Sequence, residues 1–166
     1  MTSRPAFATK EEMEASPSTV LVVDDRPENV AALRAVLERG PRANYRILTA
    51  TSGQEALHIA LREPLHVILL DVVMPDMDGF EVARHLKGVQ RTRHIPIIFV
   101  TALATDEGQF ELGHDLGAVD YLVKPFEPDV VRRKVAVFVE LAEQREELER
   151  LRVFEKQLAE RRFLRV

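Results

Sequence analysis

Residues 66–80 read His66-Val67-Ile68-Leu69-Leu70-Asp71-Val72-Val73-Met74-Pro75-Asp76-Met77-Asp78-Gly79-Phe80, and the fold turns on this stretch. No polar residue follows His66 until Asp71, so Leu65–Leu70 reads as a strand covered on both faces. Met74–Gly79 is turn chemistry, with Pro75 fixing φ and Gly79 permitting a positive one. Phe80, Val82, Ala83 and Leu86 then recur at helical spacing. A buried strand, a turn and an amphipathic helix form one repeat of a parallel α/β sheet.

The same rhythm extends in both directions. Upstream, Thr19–Val23 is a β-branched run that stops at Asp24-Asp25, and Pro27 suits the first turn of a helix whose apolar face is Val30, Leu33, Val36 and Leu37, ending near Gly40-Pro41. Tyr45–Ala50 is a second strand, and Ser52 with Glu55 is a capping-box pattern for a second helix. Downstream, Ile95–Val100 is a fourth buried strand, Asp106 to Leu116 a helix stopped by Gly117, and Ala118–Val123 a fifth strand closed by Lys124-Pro125. From Asp129 to about Arg161 there is no Gly or Pro, which reads as one long helix. Residues 1–17 mix Ser, Thr, Pro, Ala and Glu without periodicity and read as a mobile tail.

Composition excludes several functions. The chain has 166 residues, 46% hydrophobic and 30% charged, enough to bury a core without staples. It has no cysteine, so disulfides, thiolate catalysis and cysteine-ligated metals are excluded. A net charge of -4 argues against direct nucleic-acid binding. No apolar run approaches the roughly 20 residues of a membrane span, and no signal peptide precedes the first strand, so a cytoplasmic protein with no membrane contact is expected.

Parallel sheets covered on both sides bind ligands beyond the carboxyl ends of their strands. Here those ends carry Asp24 and Asp25, Asp71, Thr101 and Lys124. Singly, each has a plain structural role: an Asp pair after a strand is commonly a turn or a helix cap, Asp25 lies just ahead of a helix, and a lysine before proline is commonly a solvated charge. Together they form a set in which three carboxylates repel, at roughly 4 kcal/mol per pair at 4 Å in an effective dielectric near 20. A hard divalent cation relieves that repulsion, and Mg²⁺ suits one or two carboxylates plus phosphate oxygens. With a lysine and a hydroxyl beside it, the cluster suits phosphoryl handling by a carboxylate nucleophile.

Leu21-Val22-Val23-Asp24-Asp25, Leu70-Asp71 through Asp78-Gly79, Val100-Thr101-Ala102, and Asp120-Tyr121-Leu122-Val123-Lys124-Pro125-Phe126 together resemble the receiver domain of bacterial two-component response regulators, over about residues 19–140. The resemblance implies a flavodoxin-like (βα)5 doubly wound sheet of strand order 2-1-3-4-5, with a receiver domain over 18–139. It implies Asp71 as phosphoacceptor, and Mg²⁺ held by Asp25 and Asp71 directly, by Asp24 through water and by the Val73 carbonyl. Lys124, Thr101 and Ala102 would contact the phosphoryl group, Tyr121 would be an aromatic switch, and the Lys124–Pro125 bond would be cis. The implied partner is a histidine kinase or histidine phosphotransfer protein, and the only chemistry the domain's own phosphorylation and dephosphorylation.

Two other readings use the same residues. A Mg²⁺-dependent phosphatase with an Asp nucleophile commonly carries a second Asp two positions on, where this chain has Val73. A non-phosphorylated interaction module has no need of an intact Asp71, Thr101 and Lys124. His58, His66, His85, His94 and His114 show no ligand spacing and read as surface or boundary residues. In the last helix Val131, Val135, Phe138 and Val139 form the face for the sheet, and Leu141, Leu148, Leu151 and Leu158 continue at heptad-like spacing, interrupted by Gln144 and Glu155. Residues 140–166 therefore read as an extended helix, a linker or a parallel coiled coil joining two copies, since a helix of about 50 Å projects beyond a body whose radius of gyration is about 13 Å.

Overall fold

A computed structural model describes residues 17–40, 44–102 and 120–165. Five parallel strands, β1 (Thr19–Val23), β2 (Arg46–Ala50), β3 (Val67–Asp71), β4 (Ile97–Thr101) and β5 (Asp120–Val123), pair in the order β2-β1-β3-β4-β5. The helices are α1 (Pro27–Glu38), α2 (Gly53–Arg62), α3 (Gly79–Gly88) and α4 (Pro128–Phe163). The mobile tail expected before residue 17, the helix expected at 106–116 and the first residues of the expected fifth strand lie outside the described residues.

Strand alternation sorts the core into two layers, because successive side chains leave opposite faces of a sheet. Leu21, Val23, Ile68, Leu70, Ile97 and Phe99 pack with Ala56 and Ala60 of α2 and Phe80, Val82, Ala83 and Leu86 of α3. Val20, Val22, Val67, Leu69, Ile98, Val100 and Leu122 pack on the other side with Val30, Leu33 and Leu37 of α1 and Val131, Val135 and Val139 of α4. The doubly covered reading of β3 holds, since all of its residues are buried.

Several boundaries differ from the sequence reading for identifiable reasons. Pro96 has no N–H for the ladder, so β4 begins at Ile97 rather than Ile95, while the Pro96 carbonyl accepts from Ile68 N–H. At their other ends β3 and β4 extend to Asp71 and Thr101, which pair with Val100 and Val123 and so belong to the strands instead of following them. The Asp25 cap is not formed: Arg26 occupies the N-cap of α1 without a side-chain bond, and Pro27 stands at the first helical position. The α2 capping box is displaced, since Ser52 Oγ accepts from Glu55 N–H at 3.1 Å but the Glu55 carboxylate accepts from Thr51 N–H at 3.1 Å. Gly79 is the first residue of α3, and Asp78 before it caps the helix, accepting from Glu81 N–H at 2.9 Å.

The β3–α3 turn folds back on its own strand. Asp76 adopts φ 67°, and Gly79 N–H donates to the Val72 carbonyl at 2.8 Å. A Cβ on Gly79 would lie 2.3 Å from the Asp71 carbonyl oxygen, so the requirement for glycine is close approach of two backbones. Gly79→Ala is expected to destabilise the fold by about 1–3 kcal/mol, as overpacking against rigid backbone does, read as a lower urea midpoint at unchanged slope.

Candidate functional site

Strand order reverses between β1 and β3, and the carboxyl edge of the sheet at that point is where open α/β sheets bind their ligands. The pairing of Val23 with Leu70 sets the residues that follow side by side. The result is a cluster of Asp24, Asp25 and Asp71 with one carboxylate oxygen from each within 4.8 Å of the others. Asp24 and Asp71 are buried and Asp25 is half-buried.

Asp24 is braced by its own loop. Its Oδ1 accepts from Arg26 N–H at 2.9 Å and from Asn29 Nδ2 at 3.3 Å, and its Oδ2 lies 3.0 Å from Lys124 Nζ. The same ammonium reaches Asp71 Oδ1 at 3.4 Å. Burial works against the charge on Lys124, but its bonds to Asp24 and Asp71 outweigh that and hold the ammonium above its ordinary value. Asp71 is pushed up from 3.8 to about 6, first by burial and then by the Asp24 charge, with Lys124 opposing. Lysine alone thus leaves the acidic set under-compensated, and these hard oxygen donors fit a Mg²⁺ ion.

Of the other residues singled out in the sequence, Thr101, Ala102, Val73 and Lys124 lie at or just beyond the same ends of the strands, and Tyr121 lies two residues before the end of β5. Thr101 is buried at the end of β4, and its carbonyl accepts from Lys124 N–H at 2.8 Å. Ala102 follows it, exposed. Val73 lies in the loop leaving β3 with 66% of its surface exposed. The Lys124–Pro125 bond is cis. Tyr121 pairs with Phe99 across β4 and β5, their ring centroids 5.6 Å apart, and Phe99 meets Phe80 at 4.9 Å with the rings tilted by 59°.

Residues that the sequence reading passed over support this arrangement. Asn29 braces Asp24 from the first turn of α1. Lys134 of α4 reaches the Asp120 carboxylate and the Tyr121 carbonyl, both at 2.9 Å, and so ties α4 to β5. His66, read as a boundary residue, accepts Thr19 N–H at Nδ1 (3.0 Å) and lies 2.9 Å from Glu146 through Nε2. Asn29 stands near the Asp pair in sequence, but nothing in the spacing of Lys134 or His66 marks their partners, which come from distant segments.

Comparison with known proteins settles the ancestry. Residues 20–136 match the response regulator receiver domain family. The chain belongs to that family. This receiver is 42% identical over 120 residues to a probable cyclic di-GMP phosphodiesterase of Vibrio cholerae, covering 72% of this chain and 26% of that protein. It is 45% identical over 108 residues to the response regulator PleD of Caulobacter vibrioides, covering 65% of this chain and 23% of PleD. It therefore spans about a quarter of the length of these two curated relatives. Among solved structures, the Vibrio cholerae chemotaxis protein CheY4 superposes with a TM-score of 0.68 at 31% identity, covering 74% of this chain and 99% of that one. A Pseudomonas aeruginosa sensor histidine kinase receiver domain, described with a magnesium ion coordinated in its active-site cleft, gives 0.67 at 30% identity, covering 75% and 99%. The receiver is a phosphorylation-controlled signalling domain.

The raised Asp71 sets a pH dependence. With a folded value near 6 and an unfolded one of 3.8, protonation of Asp71 favours the metal-free fold, fully below about pH 4, and that contribution is lost as pH rises through 6. A cation bound through the Asp71 carboxylate would have to displace the same proton. The rise in Tm given by millimolar Mg²⁺ in low salt is expected to be larger at pH 7.5 than at pH 5, where only about a tenth of Asp71 is ionised, and Asp25→Ala should remove most of it. A metal effect equal at both pH values would show that Asp71 is outside the binding set.

Proposed function

We propose that Asp71 accepts a phosphoryl group from the phosphohistidine of a histidine kinase or histidine phosphotransfer protein. The observation that carries this reading is the buried Asp71 carboxylate at the switch point, flanked by Asp24 and Asp25 and reached by Lys124 at 3.4 Å. In the transfer an Asp71 oxygen attacks phosphorus, the P–N bond to the donor imidazole breaks, and the product is an acyl phosphate. Asp25 and Asp71, with Asp24 through water and the Val73 carbonyl, would hold Mg²⁺, which when bound supplies positive charge for the transferring oxygens. The Lys124 ammonium, which now bridges Asp24 and Asp71, moves its hydrogen bonds to the phosphoryl oxygens, while the Thr101 hydroxyl and the Ala102 backbone approach from the end of β4.

Output in this reading passes through β5 to α4. Tyr121 carries the movement of Thr101, and Lys134 joins the Tyr121 carbonyl and Asp120 to α4. From residue 140 onward α4 is the connecting element, and its exposed leucines pair with a second copy. Among the described residues no helix is long and apolar enough to cross a membrane. Incubation with a small phosphodonor and Mg²⁺ should add one base-labile phosphate to the protein by intact mass. Asp71→Asn, nearly isosteric, should take up none and should stay folded, with a metal-free Tm at pH 7.5 no lower than that of the parent chain, since a neutral group at this position favours the metal-free fold. Stoichiometric uptake by that variant would overturn the acceptor assignment.

A further inference from the structure

α4 has two sides with different fates. Val131, Val135 and Val139 are buried against the sheet. Glu143 and Glu146 continue that side to the opposite edge of the sheet, where Ser18 Oγ donates to Glu143 at 2.7 Å and His66 Nε2 meets Glu146 at 2.9 Å. Leu141, Leu148, Leu151 and Leu158 are 52%, 59%, 49% and 40% exposed. At about 100° per residue, Leu141 lies about 240° round from Val135, and Leu148 about 200° round from Glu146. The leucine line therefore faces away from the body that carries it, and Ser18 and His66 fix the rotation at which it does so.

The charges beside that line discriminate between ways of covering it. With Leu141 and Leu148 at heptad positions a, Gln144 and Leu151 fall at d, Glu140 and Glu147 at g, and Arg145 and Arg152 at e. In a parallel, in-register pair, each g residue faces the e residue of the next heptad on the other helix. Glu140 then meets Arg145 of the second copy, and Glu147 meets Arg152, twice each by symmetry. An antiparallel pair sets e against e and g against g, which opposes arginine to arginine and glutamate to glutamate. Within its own helix Glu147 pairs with Arg150 at 2.9 Å, but both are about half exposed and such a pair contributes little against the alternative. Further on, where Glu155 interrupts the a positions, Phe154 at g and Ala159 at e add apolar contact.

We propose that the outward face of α4 binds the same face of a second copy, parallel and in register, so that Leu141 and Leu148 each meet their own counterparts and the two receiver bodies lie on the outer sides of a shared stem. This rests on the pairing proposed above and adds its orientation and register. Because the chain has no cysteine, single thiols report the geometry directly in the full chain. Leu141→Cys and Leu148→Cys, treated separately with a mild oxidant, should each give a disulfide-linked dimer, and Glu149→Cys, on the side of α4 turned toward its own body, should not. Glu147→Arg should weaken the dimer severalfold by light scattering, and adding Arg152→Glu should restore it. An antiparallel pair can link at most one of the two leucine positions. A dimer in light scattering that fails to link at both positions overturns the orientation and leaves the pairing standing. A chain that stays monomeric at hundreds of micromolar overturns both. Neither result bears on phosphorylation at Asp71, which is read separately by mass.

Discussion

Three carboxylates held together at the reversal point of the sheet are the constraint to which the rest of this molecule answers. In water the repulsion would disperse them. Here β1 and β3 are adjacent, parallel and wholly buried, so Asp24 and Asp71 cannot separate without breaking the ladder. The backbone N–H of Arg26 and the Asn29 amide hold Asp24, Lys124 arrives from β5, and the residual imbalance appears as the elevated Asp71. A site under that electrostatic load is poised to gain from any added positive charge.

The load is confined because the core around it is satisfied. Among the described residues no buried side-chain nitrogen or oxygen lacks a hydrogen-bond partner. Each face of the sheet is sealed by apolar residues from one pair of described helices, so a change at the acidic edge is transmitted by the few polar ties that cross elements. Lys134 is one of these, joining α4 to β5 beside Tyr121. Glu143 and Glu146 are two more, joining the same helix to the far edge of the sheet at Ser18 and His66. α4 is thus anchored along the full height of the domain, so a shift of β5 would appear as a tilt or rotation of the exposed segment beyond residue 146.

The strands, their parallel class and the residues at their ends were legible in the sequence because each rests on local pattern: β-branched apolar runs, turn residues after them and helical spacing beyond. Patterns of that kind leave hydrogen-bond partners undetermined. Asp25 and Asp24 are equivalent as a dipeptide, yet it is Asp24 that is buried and braced, by the Arg26 N–H, the Asn29 amide and the Lys124 ammonium, the last from a segment far along the chain. Ser52 and Glu55 announced a capping box, but the glutamate found Thr51 N–H. His66 read as a boundary residue because its two partners, Thr19 and Glu146, come from segments far from it in the chain.

By itself the sequence determined the α/β class, the doubly covered β3, the acidic and basic residues at the strand ends and the long uninterrupted last helix, all from periodicity and residue chemistry within short windows. Tertiary structure alone decided which face of α4 meets the sheet, where Lys124 places its ammonium between Asp24 and Asp71, and how far Asp71 is raised. Those outcomes depend on burial and on distances between groups far apart in the chain, and both exist only once the strands have paired and excluded water.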